Sequence, residues 1–258
     1  RNLMLGIGQI TTRVAELIRG AMPFAIVNSG LNRDGTQRPT SLFQRLVSYR
    51  TLPEAVAAGK TNGVQWIKLH SGRHPLNGLL TLDTDDWCIE GAGASTVIYQ
   101  ESSNTPCITI TSDRITLKSM WFTCATTSSR SVNFNGDFGL GIGLGSVSAG
   151  FPAAGGTYNV QVGCQWGCGV NPGAQDLGLG GTGNIIVAAV CGPGGANELA
   201  HIYGTGCGVV GSVIRAAGSR SLRMTPGATN SAFFAILHDQ GGTMIQGSGN
   251  QTGLLEEY

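Results

Sequence analysis

Carboxylates, imidazoles and indoles are the groups in this chain with the means to do chemistry, and they are few. Cleaving a polysaccharide takes two carboxylates about 5 to 9.5 Å apart across the glycosidic bond, or a base that removes the proton beside a uronate carboxyl, often with a cation to neutralise it. The chain has 15 acidic residues, and the one dense group is Asp83, Asp85 and Asp86. These lie between Leu82 and Trp87 in turn-like sequence, where Asp side chains bond their own backbone, so a turn role is expected. Glu198 precedes His201, and His238 adjoins Asp239; each pair has the makings of an acid/base couple. Glu198, His201, Asp239 and Asp176 are the candidate catalytic residues, and a groove between subunits could combine Glu198, Asp176 or Asp239 from different chains. Strand-edge contacts and exposed turns are the plainer reading of both pairs. Arg215, Arg220 and Arg223 are spaced to supply a lyase base, but isolated arginines more often serve a surface.

Trp87, Trp121, Trp166 and Tyr158 are the candidate glycan-binding residues, since the apolar face of a sugar ring packs on an aromatic ring. Core or interface packing competes for at least two of the four tryptophans. The seven cysteines form no Cys-x-x-Cys pair and have no histidine at zinc spacing. Cys88, Cys107 and Cys207 are expected to point inward as inert thiols. His70 and His74 do not lie on an expected helix, so no metal site is expected. No phosphate loop, nucleophile elbow or dinucleotide fingerprint is present, and no cofactor is expected.

The elements that must position these groups follow from composition. Of 258 residues, 41% are apolar, 12% are charged and 41 are glycine, against roughly 25% charged residues and about 7% glycine in ordinary soluble domains. That balance suits a repetitive all-β body, and so little charge points to outer surface covered by neighbouring subunits. The net charge is +1 with both signs scattered, so no nucleic-acid partner is expected. Neither a membrane span nor an export signal is legible.

Leu3, Ile7, Ile10, Val14 and Leu17 keep an a/d rhythm, which reads either as a short associating helix or as an amphipathic helix folded onto the body. Gly20 and Pro23 stop it, and residues 24 to 40 read as a strand-poor neck. Ser41 with Gln44 and Thr51 with Glu54 match capping boxes, and Thr51 to Gly59 reads as a two-turn helix ended by its glycine. From Val64 the period becomes two. Trp66 to Leu69, Leu80 to Leu82, Trp87 to Ile89, Thr96 to Tyr99, Cys107 to Ile110 and Ile115 to Leu117 are short strands that bury a face only by stacking. Gly139 to Gly145, Asn159 to Val162, Asn184 to Val187, Cys207 to Val210 and Phe233 to Ile236 continue them, while 147 to 183 reads as an irregular loop leaving the stack. Residues 1–50 are thus an N-terminal helix and neck for attachment and oligomerisation, and 51–258 the body.

The stretch Thr51 to Tyr99 carries a resemblance. Its Pro53-Glu54-Ala55-Val56-Ala57-Ala58-Gly59 helix, Ile67-x-Leu69, Leu80-x-Leu82 and Ile89-x-Gly91-x-Gly93-x-x-Thr96-x-Ile98 resemble the opening coils of pectin-lyase-like right-handed parallel β-helices. The resemblance implies an all-β right-handed parallel β-helix, preceded by a short helical neck and closed by a capping helix. The polygalacturonase pattern is not reproduced: Asp85-Asp86 is present, but no Gly-His-Gly or Arg-x-Lys follows. The whole arrangement resembles bacteriophage tail fibres and tailspikes. It implies a homotrimeric structural protein of the virion, assembled in host cytoplasm, held to other tail or capsid proteins by its N-terminal region and attached to host surface polysaccharide. A polysaccharide depolymerase, lyase or glycoside hydrolase, is the first alternative, and an extracellular bacterial surface adhesin the second.

Overall fold

A computed structural model describes residues 14, 22, 24–39, 48–102, 105–124, 131–146, 153–166, 177–191, 200–215, 222–224, 228–238, 244–245 and 251–252. Parallel strands from successive coils stack into two sheets, one of 14 strands and one of eight. The molecule is a right-handed parallel β-helix.

The first face of the coil runs β1 (Ala25–Val27), β2 (Trp66–Leu69), β5 (Cys88–Glu90), β8 (Thr116–Cys124), β10 (Leu140–Ser146), β12 (Val160–Val162), β15 (Ile185–Val187), β18 (Gly208–Arg215), β20 (Ala232–His238) and β22 (Gln251–Thr252). The long strands β8, β10, β18 and β20 bend into a second face, which also holds β3 (Gly72–Leu76), β6 (Thr96–Gln100), β13 (Gln165–Trp166) and β16 (Val190–Cys191). The bend has a backbone signature: Ser119, Gly143, Gly163, Ala188 and Gly211 all take positive φ, from 51° to 60°. The third face is β4 (Leu80–Leu82), β7 (Ile108–Ile110), β9 (Val132–Phe134), β11 (Ala153–Ala154), β14 (Leu177–Leu179), β17 (Ala200–Ile202), β19 (Leu222–Met224) and β21 (Met244–Ile245).

Inside, like stacks on like. Ile67, Ile89 and Leu117 are in register on the first face, and Leu82, Ile110 and Phe134 on the third; all six are 0 to 1% exposed. Burial of each such side chain stabilises by about 1.5 to 3 kcal/mol relative to exposure. Pro75 sits in β3, which pairs with β6 on one side only, so its missing N–H breaks no ladder bond.

The end of the stack is covered by α1 (Leu52–Asn62), which packs against β1, β2 and β3. The capping box forms in full: Thr51 Oγ1 accepts the Glu54 N–H at 3.3 Å and Glu54 Oε2 accepts the Thr51 N–H at 3.1 Å. The helix runs past Gly59 and stops at Gly63, whose φ of 71° is left-handed. Gly59 is buried mid-helix against Trp87, a packing role and not a stop.

Two further expectations are corrected. Residues 25–27, inside the segment expected to be strand-poor, form the first rung on β2. Residues 153–166 and 177–183 stay in the stack through β11 to β14, since each turn there is closed by backbone bonds to the next coil. The Ser41 to Gln44 cap and Leu3, Ile7, Ile10 and Leu17 lie outside the described residues; Val14 is helical and 47% exposed.

Candidate functional site

The chain passes from the third face to the first through five-residue turns at 83–87, 111–115, 135–139, 155–159, 180–184 and 203–207. Each turn position forms its own ladder along the molecule.

At the third position, Asp85 Oδ1 accepts the Asp113 N–H at 2.9 Å, Asp113 Oδ1 the Asp137 N–H at 2.9 Å, and Asp137 Oδ1 the Thr157 N–H at 2.7 Å. Thr157, Thr182 and Thr205 then pair in parallel, and Thr205 Oγ1 meets Thr229 Oγ1 at 3.2 Å. Asp85, Asp113 and Asp137 therefore tie each coil to the next from within their turns. At the fifth position the ladder is buried. Asn159 Oδ1 accepts the Gly139 N–H at 2.6 Å, Asn184 Oδ1 accepts the Asn159 N–H at 2.8 Å, and their amides donate to Gly136 and Gly156 carbonyls.

The fourth position faces outward with positive φ at Asp86, Arg114, Phe138 and Tyr158, and again at Gly183 and Gly206. Arg114 bridges Asp86 and Asp85 at 2.7 and 3.0 Å. The rings of Phe138 and Tyr158 stack at 5.7 Å with 23° between planes, and are 57% and 53% exposed. Gly183 makes room for them: a Cβ there would stand 2.5 Å from Tyr158 Cδ1. Holding two bulky aromatics in left-handed backbone costs about 1 to 3 kcal/mol each, an arrangement the surrounding coils must impose.

Beside this edge, the outer side of the first face changes character. Lys68, Glu90 and Lys118 point outward on β2, β5 and β8. In register beyond them come Leu140 and Ile142, Val160 and Val162, Ile185 and Val187, then Val210. Ile142, Ile185 and Val210 are 40%, 37% and 41% exposed. In β10 the alternation runs opposite to hydropathy: Gly139 and Gly141 point inward, and the positive φ of Gly143 resets the phase so that Leu144 is buried. Glycine fits there because Phe134 and Asn159 already fill the coil.

Among the described residues the carboxyls whose protonation is perturbed are Asp34, Asp83 and Asp86, and all three are held below the usual carboxylate range, by Thr36, Lys60 and Arg114 respectively. A general acid needs the opposite shift. Among the described residues no group of three His, Cys, Asp or Glu side chains is placed to hold a metal ion, and no helix is long and apolar enough to cross a membrane.

No protein-family model and no curated protein matches the chain. Solved structures do. A pectin methylesterase in complex with a hexasaccharide aligns at TM-score 0.54 and 11% identity, over 89% of this chain and 92% of that one. The pectin methylesterase PemA from Erwinia chrysanthemi aligns at TM-score 0.53 and 10% identity, over the same 89% and 92%. The chain shares the parallel β-helix fold of these two pectin methylesterases. The Dettilon tailspike protein aligns at TM-score 0.36 and 12% identity over 89% of this chain and 67% of that one.

Of the candidates from sequence, Tyr158 is on the outward edge. Trp87 is corrected: it occupies the inward fifth position and is 0% exposed, so no sugar reaches it. Trp121 is half-buried on β8, its ring lying on Gly145, and Trp166 ends β13 with its side chain outside the described atoms. His201 is in β17, paired with Gly178 and Arg223; its side chain, and Asp176, Glu198 and Asp239 entirely, lie outside the described residues. Cys107 and Cys207 are buried as expected, but Cys88 shares the outward phase of Glu90 and is half-buried. Sequence reading missed Phe138. Its signal was the turn repeat, with linked positions 28, 24 and 20 residues apart.

Proposed function

We propose that this chain is the β-helix of an oligomeric attachment protein of the tail fibre or tailspike type, which contacts a cell-surface glycan along its turn edge without cleaving it. The observation that carries this is the exposed, stacked Phe138–Tyr158 pair on strained backbone. It offers a flat apolar face of the kind sugar rings pack on. The nearby aspartates spend one oxygen each on closing turns, and Arg114 occupies the Asp85 and Asp86 carboxylates of the first turn.

The proposal includes a homotrimer. A heptad segment ahead of the body would set copies side by side and parallel, and the charge-free aliphatic strip from Leu140 to Val210 would then face the common axis, leaving the aromatic edge at the seam. Location on a virion, with the N-terminal region joined to other tail or capsid proteins, belongs to the same reading.

The experiment is binding to an array of capsular and lipopolysaccharide preparations, followed for new reducing ends and unsaturated uronates. Retention without either product, weakened about 5- to 30-fold by Tyr158→Ala, is the expected result. The second reading is a polysaccharide-acting enzyme. It is favoured by Asp113 and Asp137 standing on consecutive coils, about 4.8 Å apart as stacked strands are, near the spacing of a retaining pair. Product release lost in both Asp113→Asn and Asp137→Asn would establish it.

A further inference from the structure

A second surface, at the opposite end of the stack from the aliphatic strip, gathers three arginines. The loop 28–38 lies over the start of the second face. Arg38 reaches Ser71 Oγ at 3.1 Å and Asn28 Oδ1 at 3.0 Å. Arg73, on β3, lays its guanidinium on the ring of Tyr99 of β6, Cζ standing 3.4 Å from the centroid. Gly35 of the loop faces this same group: a Cβ there would stand 3.1 Å from Arg73 Nη1. Arg33 stands over Trp121 of β8 at 5.9 Å. Val97 pairs with both Arg73 and Trp121, so the three strands present these groups side by side.

The cluster meets no counter-charge among the described residues, a condition it shares with Lys68 over Phe24 and Trp66. Among the described residues, Lys60, Arg114 and Lys118 each meet a carboxylate, whereas Arg33, Arg38 and Arg73 meet rings, an amide oxygen and a hydroxyl. Asp34, in the same loop, turns its carboxylate to the Thr36 N–H and hydroxyl at 2.9 and 2.7 Å. A guanidinium stacked on an aromatic ring is held flat with its N–H fork uncommitted, the form that grips a planar oxyanion in two parallel hydrogen bonds. Gly145 lets Trp121 lie flat against the sheet, giving the site an apolar flank.

We propose that Arg33, Arg38 and Arg73, with Tyr99 and Trp121, bind the oxyanion of an acidic glycan, a carboxylate or a phosphate carried on a sugar. The polymer rests on the glycan reading above; the anion site does not.

The test is calorimetric titration of the intact chain, at low ionic strength, with glucuronate, inorganic phosphate and glucose. Expected are saturable binding of glucuronate or phosphate, none of glucose, and a loss of about tenfold or more in Arg73→Gln and in Arg33→Gln. Arg114→Gln, outside the cluster, should leave the affinity unchanged. Preference for glucuronate assigns a sugar carboxylate, and preference for phosphate a phosphorylated glycan. Failure of both anions to bind, or affinity unaltered in Arg73→Gln and Arg33→Gln, overturns the site. Arg38→Gln also loosens the loop, so it is read only with an unchanged far-ultraviolet spectrum. Tyr158→Ala separates the two ideas: it should weaken glycan retention about 5- to 30-fold and leave anion binding intact.

Discussion

The α-carbon of Gly59 lies against the indole of Trp87, so closely that a Cβ at 59 would stand 2.5 Å from Trp87 Cη2. In an exposed helix interior, Gly→Ala stabilises by roughly 0.5 to 1 kcal/mol. Here Gly59→Ala should do the reverse, destabilising by about 1 to 3 kcal/mol through overpacking, because the indole is held by the first coils and the carbonyl of Val64 blocks retreat. Denaturant midpoints of the two proteins at constant m-value check it.

Asn184→Ala should cost about 2 to 4 kcal/mol. It strands the Asn159 N–H in a dry coil, at about 1 to 3 kcal/mol, and takes the amide donor from the Gly156 and Gly180 carbonyls. A change under half a kcal/mol by chemical denaturation would mean that the asparagine ladder is not what joins these coils.

Stability should fall as pH drops below 6.5. His74 points into the core with Nε2 at 2.8 Å from the His70 carbonyl and Nδ1 unpartnered, and burial holds its pKa below the ordinary 6.5. Arg38 and His70, which face it, push the same way. His70 is itself shifted down by partial burial and by Arg38. With a folded pKa below the unfolded one, the unfolded chain takes up protons first, so stability is full above 6.5 and lost as pH falls toward the folded value. Thermal midpoints across pH 5 to 7.5 should show this slope, flattened in His74→Gln.

Thiol labelling should separate the cysteines. Cys88 is half-exposed and should react first, accelerating only at alkaline pH because burial raises its thiol. Cys107 and Cys207 are raised by their surroundings, and Cys164 is pushed up to about 11 by burial; all three should label only on unfolding. Mass spectrometry of the native protein after brief alkylation reads the order directly.

Association should depend on the aliphatic strip. Ile142→Lys with Val210→Lys places charge at sites 40% and 41% exposed, where surface substitutions usually change folding stability by about 0.5 kcal/mol or less. Sedimentation should give three chains for the wild type and one for the double variant. A wild-type mass of one chain at micromolar concentration would sink the trimer.

The sequence by itself determined the repeating strands, the capping helix and the class of fold, because period two and capping chemistry are local: Thr51 finds Glu54, and Ile67, Leu69, Leu80 and Leu82 alternate, whatever the rest of the chain does. Tertiary structure decided which side of a strand is inside. In β10 hydropathy points Leu140 and Ile142 inward, yet Phe134 and Asn159 already fill the coil, so glycine takes the inner positions and the aliphatics the surface. It decided likewise that Trp87 is core and Tyr158 surface, since both belong to turns of the same kind and differ by one position in them. The arginine cluster was illegible for the same reason. Arg33, Arg38 and Arg73 are brought together with Tyr99 and Trp121 only by stacking one coil on another, and local sequence carries no record of what lies one coil away.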